Sequence, residues 1–336
     1  MKIELSNITR RVFAGALAAA GISGLATVSA MAEDTIRAVS GFPKPLAFTQ
    51  SYLGFIEEVN KRGKGVVQIN FAGGPEIMPM KQQMDAVRRG VLDMHYGPAS
   101  VHLGTMSEAD AWVGSNVTAA EGRENGGFKL MEEAFSEKLG VKLLAHIDSG
   151  IKFHVYTTSE PQRTEEGGVD LSGMRLRSQP IYQSFFESMG AVPVSIGVPD
   201  VYTGLERNTF DGAGWPIVAI QDLSWDKFLK YRVDPGFFST DLAVVISPKK
   251  WDALSEESRK LLTEVAIEYE KTSYDNFQQL ISKIDGEVQA DGMTIVKLEG
   301  DAADKYLSNA HESAWSRMEK AGTPRYEALR AAYYKE

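Results

Sequence analysis

The chain has 336 residues, 43% hydrophobic and 24% charged, with 31 glycines, 13 prolines and no cysteine. That length supplies two domains or one large one and an ample core, which excludes a mini-protein or a disordered chain. The missing cysteine excludes disulfide frameworks, thiolate metal sites, thiol nucleophiles and lipid attachment through an N-terminal Cys. With 36 Lys and Arg against 45 Asp and Glu, the net charge of −9 argues against a nucleic-acid partner, which needs a basic footprint to release counterions.

Residues 1–32 read as an export signal. Lys2, Arg10 and Arg11 precede an uncharged run from Val12 to Val28, and the small-residue triplet Ala30-Met31-Ala32 leads into Glu33-Asp34. That is the charged, apolar, small-x-small order of a cleaved secretory peptide. Thr9-Arg10-Arg11-Val12-Phe13 also fits a twin-arginine signal, so both the general and the twin-arginine export routes stay open. A membrane anchor fits less well, because the run is short and Gly/Ala-rich and no second apolar stretch of about 20 residues follows. The expected product is a soluble, acidic periplasmic protein.

From Thr35 strands alternate with helices. Thr35–Val39 alternates like a strand, and Tyr52, Phe55, Ile56 and Val59 sit at helical spacing. Val66–Phe71 is the next strand; a Gly73-Gly74-Pro75 break then leads to a helical stripe of Ile77, Met80, Met84 and Val87, stopped by Gly90. After a solvated loop from Pro161 to Gly168, Met174–Ser178 reads as a strand, Pro180 opens a helix with Ile181, Phe185 and Met189 inward, and Val192-Pro193-Val194 follows. Leu242–Ser247 is another apolar strand. Beyond Ser255, apolar residues keep helical spacing from Leu261 to Val288, about 30 residues or ~45 Å, enough to cross two lobes. This alternation predicts an α/β fold with ligands at the carboxyl ends of strands.

Two segments echo each other. Val87–Met94 and Leu205–Gly212 both run from a helix end through Gly90 or Asn208 to two bulky residues and then Asp93 or Asp211. In each, the Gly or Asn suits a positive-φ helix stop and the Asp heads a strand, which hints at two similar lobes.

Four ordered elements carry a family resemblance: Gly173-Met174-Arg175-Leu176-Arg177, Met189–Val194, Val201-Tyr202-Thr203-Gly204-Leu205, and Phe210-Asp211-Gly212 with Gln221 downstream. Together they resemble the central signature of TRAP-transporter solute-binding proteins of the DctP type, over the chain from about Thr35 onward. The resemblance implies a two-lobe, type II-like periplasmic binding fold with a long helix crossing both lobes. Residues 33–151 with about 241–280 would form lobe I, and 152–240 with about 281–336 lobe II. It implies a receptor, not an enzyme, that closes on a small carboxylate and delivers it to the small and large membrane subunits of a TRAP permease. A cation bridges ligand and protein in some relatives, but no oxygen cage is recognisable in this sequence, and no cofactor or metal is expected.

In this family an arginine at the position of Arg177 usually binds the ligand carboxylate. The residue's own setting agrees, since Arg177 ends a predicted strand and guanidinium offers a planar fork to a carboxylate; a structural salt bridge is the alternative. Arg175 reads as solvated or supporting. Where many members carry a Glu-Asn pair after Asp-Gly, this chain has Ala213-Gly214-Trp215-Pro216, so Trp215 is expected to stack on the ligand or wall the cleft. The strand Ile151–Thr157 lacks the second basic residue often found there, which leaves His154 as a candidate second donor. Phe42, Glu76 and Tyr96 follow strands of the first lobe and are candidate lining residues. This aromatic content leans toward an aromatic or apolar monocarboxylate over a sugar acid.

An enzymatic constellation cannot be assembled. The five histidines show no HExxH or other paired-ligand spacing, and no GxSxG elbow, P-loop or dinucleotide GxGxxG follows a strand. Asp93 with His95 is the one acid/base pair to consider, and a junction Asp of this kind is ordinarily structural. The competing classes are an ABC-type receptor for another solute and an exported hydrolase or lyase.

Overall fold

The computed structural model describes residues 33–335; the expected export signal lies outside them. Thirteen strands are described: β1 (Asp34–Ser40), β2 (Val67–Gly73), β3 (Met94–Pro98), β4 (Lys142–His146), β5 (Lys152–Thr157), β6 (Gln162–Arg163), β7 (Val169–Asp170), β8 (Arg175–Ser178), β9 (Val192–Ser195), β10 (Gly212–Pro216), β11 (Tyr231–Ser239), β12 (Leu242–Ile246) and β13 (Thr294–Lys297). They form two main sheets, ordered β2-β1-β3-β12-β4 and β13-β11-β5-β10-β8-β9, with β6 and β7 as a separate ribbon. Each sheet is the centre of one lobe.

In the first sheet β1, β2 and β3 are parallel and β12 runs against its neighbours. Its faces are nearly all apolar because both are covered. One packs on Tyr52, Phe55 and Val59 of the helix Ala47–Arg62 and on Leu262 and Val265 of the long helix. The other packs on Met84, Trp112, Phe135 and Trp315. The second sheet buries Phe185 and Phe186 against Phe237 and Tyr306.

The echo between the lobes is structural. Gly90 and Asn208 both end a helix at positive φ, 72° and 53°. Asp93 then accepts a hydrogen bond from the Arg37 amide at 2.8 Å and returns its own amide to the Arg37 carbonyl at 3.1 Å. Asp211 does the same with Arg175, at 2.9 and 2.7 Å. In each lobe this Asp registers an incoming strand against its parallel neighbour.

The chain crosses between sheets twice as short segments, from β4 to β5 through 147–151 and from β11 to β12 through Thr240-Asp241. The crossings are tied together: the Thr240 hydroxyl donates to the Asp148 carbonyl at 2.6 Å, and the Thr240 amide to the Ile151 carbonyl at 3.1 Å. A 35-residue helix, Glu256–Ala290, makes the third crossing. Ser255 caps it by accepting from the Ser258 amide. Its first half packs on the first lobe, and its Asp285 pairs with Arg232 of the second at 2.6 Å.

Beyond β13 the expected assignment needs amending. The helix Gly300–Lys320 puts Tyr306, Ala310 and Ala314 on the second lobe's core, but Trp315 and Met318 on the first's. The last helix, Tyr326–Tyr333, packs Leu329, Ala332 and Tyr333 with Met131 and Ala134 of the first lobe. The chain past about 325 thus belongs with lobe I, because its apolar face is buried there. Two helix starts also differ from the periodicity. Ile77 is exposed and its helix begins at Met80, since Gly73–Glu76 folds as a loop; the helix expected from Pro180 begins at Gln183.

Glu270 anchors the long helix to the first crossing. Its carboxylate is buried, pairs with the Arg123 guanidinium, and accepts the His146 amide at 2.7 Å. Glu270→Ala leaves the His146 amide without its acceptor and the half-buried Arg123 guanidinium with only the Leu144 carbonyl and the Phe128 ring, and is expected to cost about 2–3 kcal/mol of stability in urea unfolding. A loss under about 1 kcal/mol would show that the pair is not an anchor.

Candidate functional site

Between the two sheets lies a cavity of about 490 Å³. Its wall is mostly apolar, with Phe42 and Phe48 from the first lobe and Phe153, Tyr182 and Trp215 from the second. Arg177 is the only buried cation in that wall; Lys81, the other basic residue there, is exposed at the rim.

Arg177 sits on β8 opposite Ala213 of β10 and Val194 of β9. Ala213 is small, which leaves room for the guanidinium on that face. Trp215, two residues further along β10, lies with its ring 5.3 Å from the guanidinium carbon, and Trp225 follows at 5.9 Å. Both distances are within cation–π range. Nη1 donates to the Tyr182 hydroxyl at 2.7 Å and toward the Gly214 carbonyl at 3.4 Å, while Nε donates to the Ile196 carbonyl at 3.3 Å. The Tyr182 hydroxyl in turn donates to the Gly214 carbonyl at 3.1 Å. Gly214 permits this approach, because a Cβ there would lie 2.7 Å from Phe186 and 3.0 Å from the Tyr182 ring. Arg177 is 1% exposed, and among the described residues no carboxylate lies within 4 Å of it. All its partners are neutral.

Arg175 serves differently. Its guanidinium holds Asp211 through two bonds, at 3.0 and 2.8 Å, and braces the β8–β10 junction. That is the supporting alternative of the sequence reading.

Three expected site residues, Arg177, Trp215 and Phe42, meet at the cavity; three do not. His154 turns Nδ1 to Asp234 at 2.9 Å and to the Val233 carbonyl at 3.1 Å, and so is captured by its own sheet. Glu76 is exposed and accepts the Gly74 amide at 2.6 Å, holding its loop, and that bond lowers its pKa. Tyr96 is fully buried, stacks on Tyr52 at 4.9 Å and donates its hydroxyl to Asp148 in the first crossing. Lys152, placed by alternation on the same face as His154, is half-buried and donates to the Ser239 hydroxyl at 2.7 Å, and desolvation lowers its pKa to about 8.

The sequence reading also missed residues that do line the cavity. Phe153 is one step out of phase with the polar positions chosen on β5. Asp241 sits on the second crossing, 2% exposed, where it accepts the Ser100 amide at 2.5 Å. An acid immediately before an apolar strand was the available signal. Among the described residues no group of three or more His, Asp or Glu is placed to hold a metal ion, and no helix is long and apolar enough to cross a membrane.

Two sheets joined by paired crossings, with a buried cation facing a cavity between them, invite comparison with known receptors. The family model DctP, bacterial extracellular solute-binding protein family 7, matches residues 48–321. The chain is 26% identical over 318 residues to the 2,3-diketo-L-gulonate-binding periplasmic protein YiaO of Escherichia coli, covering 91% of this chain and 93% of that one. It is 22% identical over 276 residues to the C4-dicarboxylate-binding periplasmic protein DctP of Rhodobacter capsulatus, covering 80% and 81%. The fold resembles DctP7 of Bordetella pertussis, an extracytoplasmic solute receptor binding pyroglutamic acid, with a TM-score of 0.76 at 17% identity over 90% of this chain and 99% of the other. The protein is thus a member of the DctP family, the solute-binding proteins of TRAP transporters.

Proposed function

We propose that this protein is the periplasmic receptor of a TRAP transporter for a small organic acid, with an aromatic or apolar monocarboxylate as the ligand class and Arg177 as the carboxylate clamp. The observation that carries the reading is a guanidinium buried without an acidic partner in an aromatic cavity. Burying an unpaired charge is costly, so such a site is completed by an anion from outside. The relatives named above bind a keto sugar acid, dicarboxylates and pyroglutamic acid, which share a carboxylate. The wall argues for the apolar end of that range, because Phe42, Phe48, Met80, Phe153 and Trp215 make up much of it and offer a sugar acid's hydroxyls few partners beside Gln82, Gln179, Ser100 and Thr240. Closure of the lobes over the acid would present the liganded form to the permease subunits. The apolar leader followed by Ala30-Met31-Ala32 supports export to the periplasm.

A thermal-shift and calorimetric screen of organic acids tests this. A saturating carboxylate at about 100-fold its Kd should stabilise the protein by about 2.7 kcal/mol. Arg177→Ala should abolish that shift, and Arg177→Lys, which keeps charge but loses the fork, should recover only part of it. Unchanged affinity in Arg177→Ala would refute the clamp. Tyr182→Phe removes the hydroxyl that orients Nη1 and should weaken acid binding by roughly tenfold, about 1.4 kcal/mol. Within the screen, aromatic and branched aliphatic acids should outrank C4-dicarboxylates and sugar acids; the reverse order would overturn the apolar assignment.

A further inference from the structure

We propose that Asp241 forms a second, negatively charged pole of the cavity, so that the ligand carries a protonated amine as well as a carboxylate. This rests on the carboxylate reading of Arg177 and narrows it.

Asp241 is as deeply buried as Arg177 and lines the same cavity. Its carboxylate accepts the Ser100 backbone amide at 2.5 Å. An ionised carboxylate offers about four acceptor positions, so Ser100 leaves capacity unused. Among the described residues no Lys, Arg or His comes within 4 Å of it, Arg177 included. Burial raises its pKa to about 6, which still leaves it ionised at neutral pH. The cavity therefore holds one buried cation and one buried anion that do not neutralise each other.

The charge balance then selects the ligand. A simple monocarboxylate would satisfy Arg177 and leave two anions in a poorly solvated space, where like charges repel strongly. An acid that also carries an ammonium brings the cavity to neutrality and gives Asp241 a charge-assisted hydrogen bond. Lys81 does not supply that charge, because it is exposed at the rim and solvated. The remaining polar wall residues, Ser100, Thr240, Gln82 and Gln179, are neutral. The two poles also belong to different parts of the molecule. Arg177 is on the second sheet, whereas Asp241 leads into the first sheet and its carbonyl accepts the Ala99 amide at 2.9 Å. A zwitterion would bridge them, and an apolar side chain would meet the aromatic wall.

Calorimetry with two skeleton-matched series tests the assignment: 3-phenylpropanoate, L-3-phenyllactate and L-phenylalanine, and 4-methylpentanoate against L-leucine. The amino acid of at least one series should bind ten or more times tighter than its desamino partner. Asp241→Asn should collapse that preference at least tenfold, weakening the amino acid while tightening the desamino acid as the repelling charge is removed. A desamino or hydroxy acid that binds as well as the amino acid in both series, or a preference that survives Asp241→Asn, would overturn the second pole. Should Asp241→Asn fail to fold, judged by its unliganded melting, the ranking in the unsubstituted protein decides alone. If the desamino acids bind through Arg177 and the amine adds nothing, this inference falls and the carboxylate reading stands. If no acid binds, both fall.

Discussion

A positive charge buried without a counter-ion is the constraint on which the rest of the molecule depends. Taking a guanidinium out of water costs several kcal/mol unless its donors are occupied and an anion is near. Here the protein supplies only part of the compensation. The Tyr182 hydroxyl and the carbonyls of Gly214 and Ile196 occupy Nη1 and Nε, and two indole faces stand nearby. Each of these requires something of the backbone. Gly214 must lack a side chain for Tyr182 to reach, Ala213 must be small for the guanidinium to fit, and Arg175 with Asp211 must hold β8 in register with β10. The residues that differ from the common family pattern after Asp211-Gly212 are therefore those that shape the seat of the arginine.

The same constraint bears on how a chain with net charge −9 would attract the acid proposed for it. Its overall field repels anions beyond a Debye length of roughly 8–10 Å only weakly at physiological salt, so local potential in a low-dielectric cleft decides binding. An arginine kept dry between aromatic walls supplies such a potential. The paired crossings make the cleft a joint as well as a pocket. Thr240 fastens one crossing to the other through the Asp148 carbonyl, and Asp148 is held by Ser51 and Tyr96 of the first lobe. The wall residues thus sit on two bodies linked through a small hydrogen-bonded node, a layout suited to hinge motion.

Local pattern carried much of this and failed where distant partners decide. The long helix, the parallel strands and the Asp93 and Asp211 junctions follow from periodicity and helix-stop chemistry, which act over a few residues. The place of Arg177 at the cavity was legible because a strand end and a motif coincided on one residue. His154 was misplaced because a histidine on a strand looks available until Asp234, 80 positions later, is known to face it. Tyr96 likewise reads as a strand-end aromatic, and only the fold brings Asp148 to its hydroxyl. Asp241 was passed over for the opposite reason: nothing in its neighbours shows that a crossing segment buries it against Ser100. The last helix went to the wrong lobe because an amphipathic face states that it must be covered and not by what.

A receptor whose arginine has no internal acid differs in a useful way from one with a preformed salt bridge. With an internal partner, a ligand carboxylate would have to displace it, and the exchange of one ion pair for another yields little. Without one, a carboxylate bound at Arg177 as proposed would relieve a penalty already incurred on folding, and much of its binding free energy would come from correcting an under-compensated charge. Discrimination follows from the same source. An amide or ester of matching shape fills the aromatic wall equally well but brings no charge, and leaves the guanidinium as poorly compensated as before. On that reading rejection of neutral analogues is built into the unliganded protein, and the charge of Asp241 and the shape of the wall are left to choose among acids.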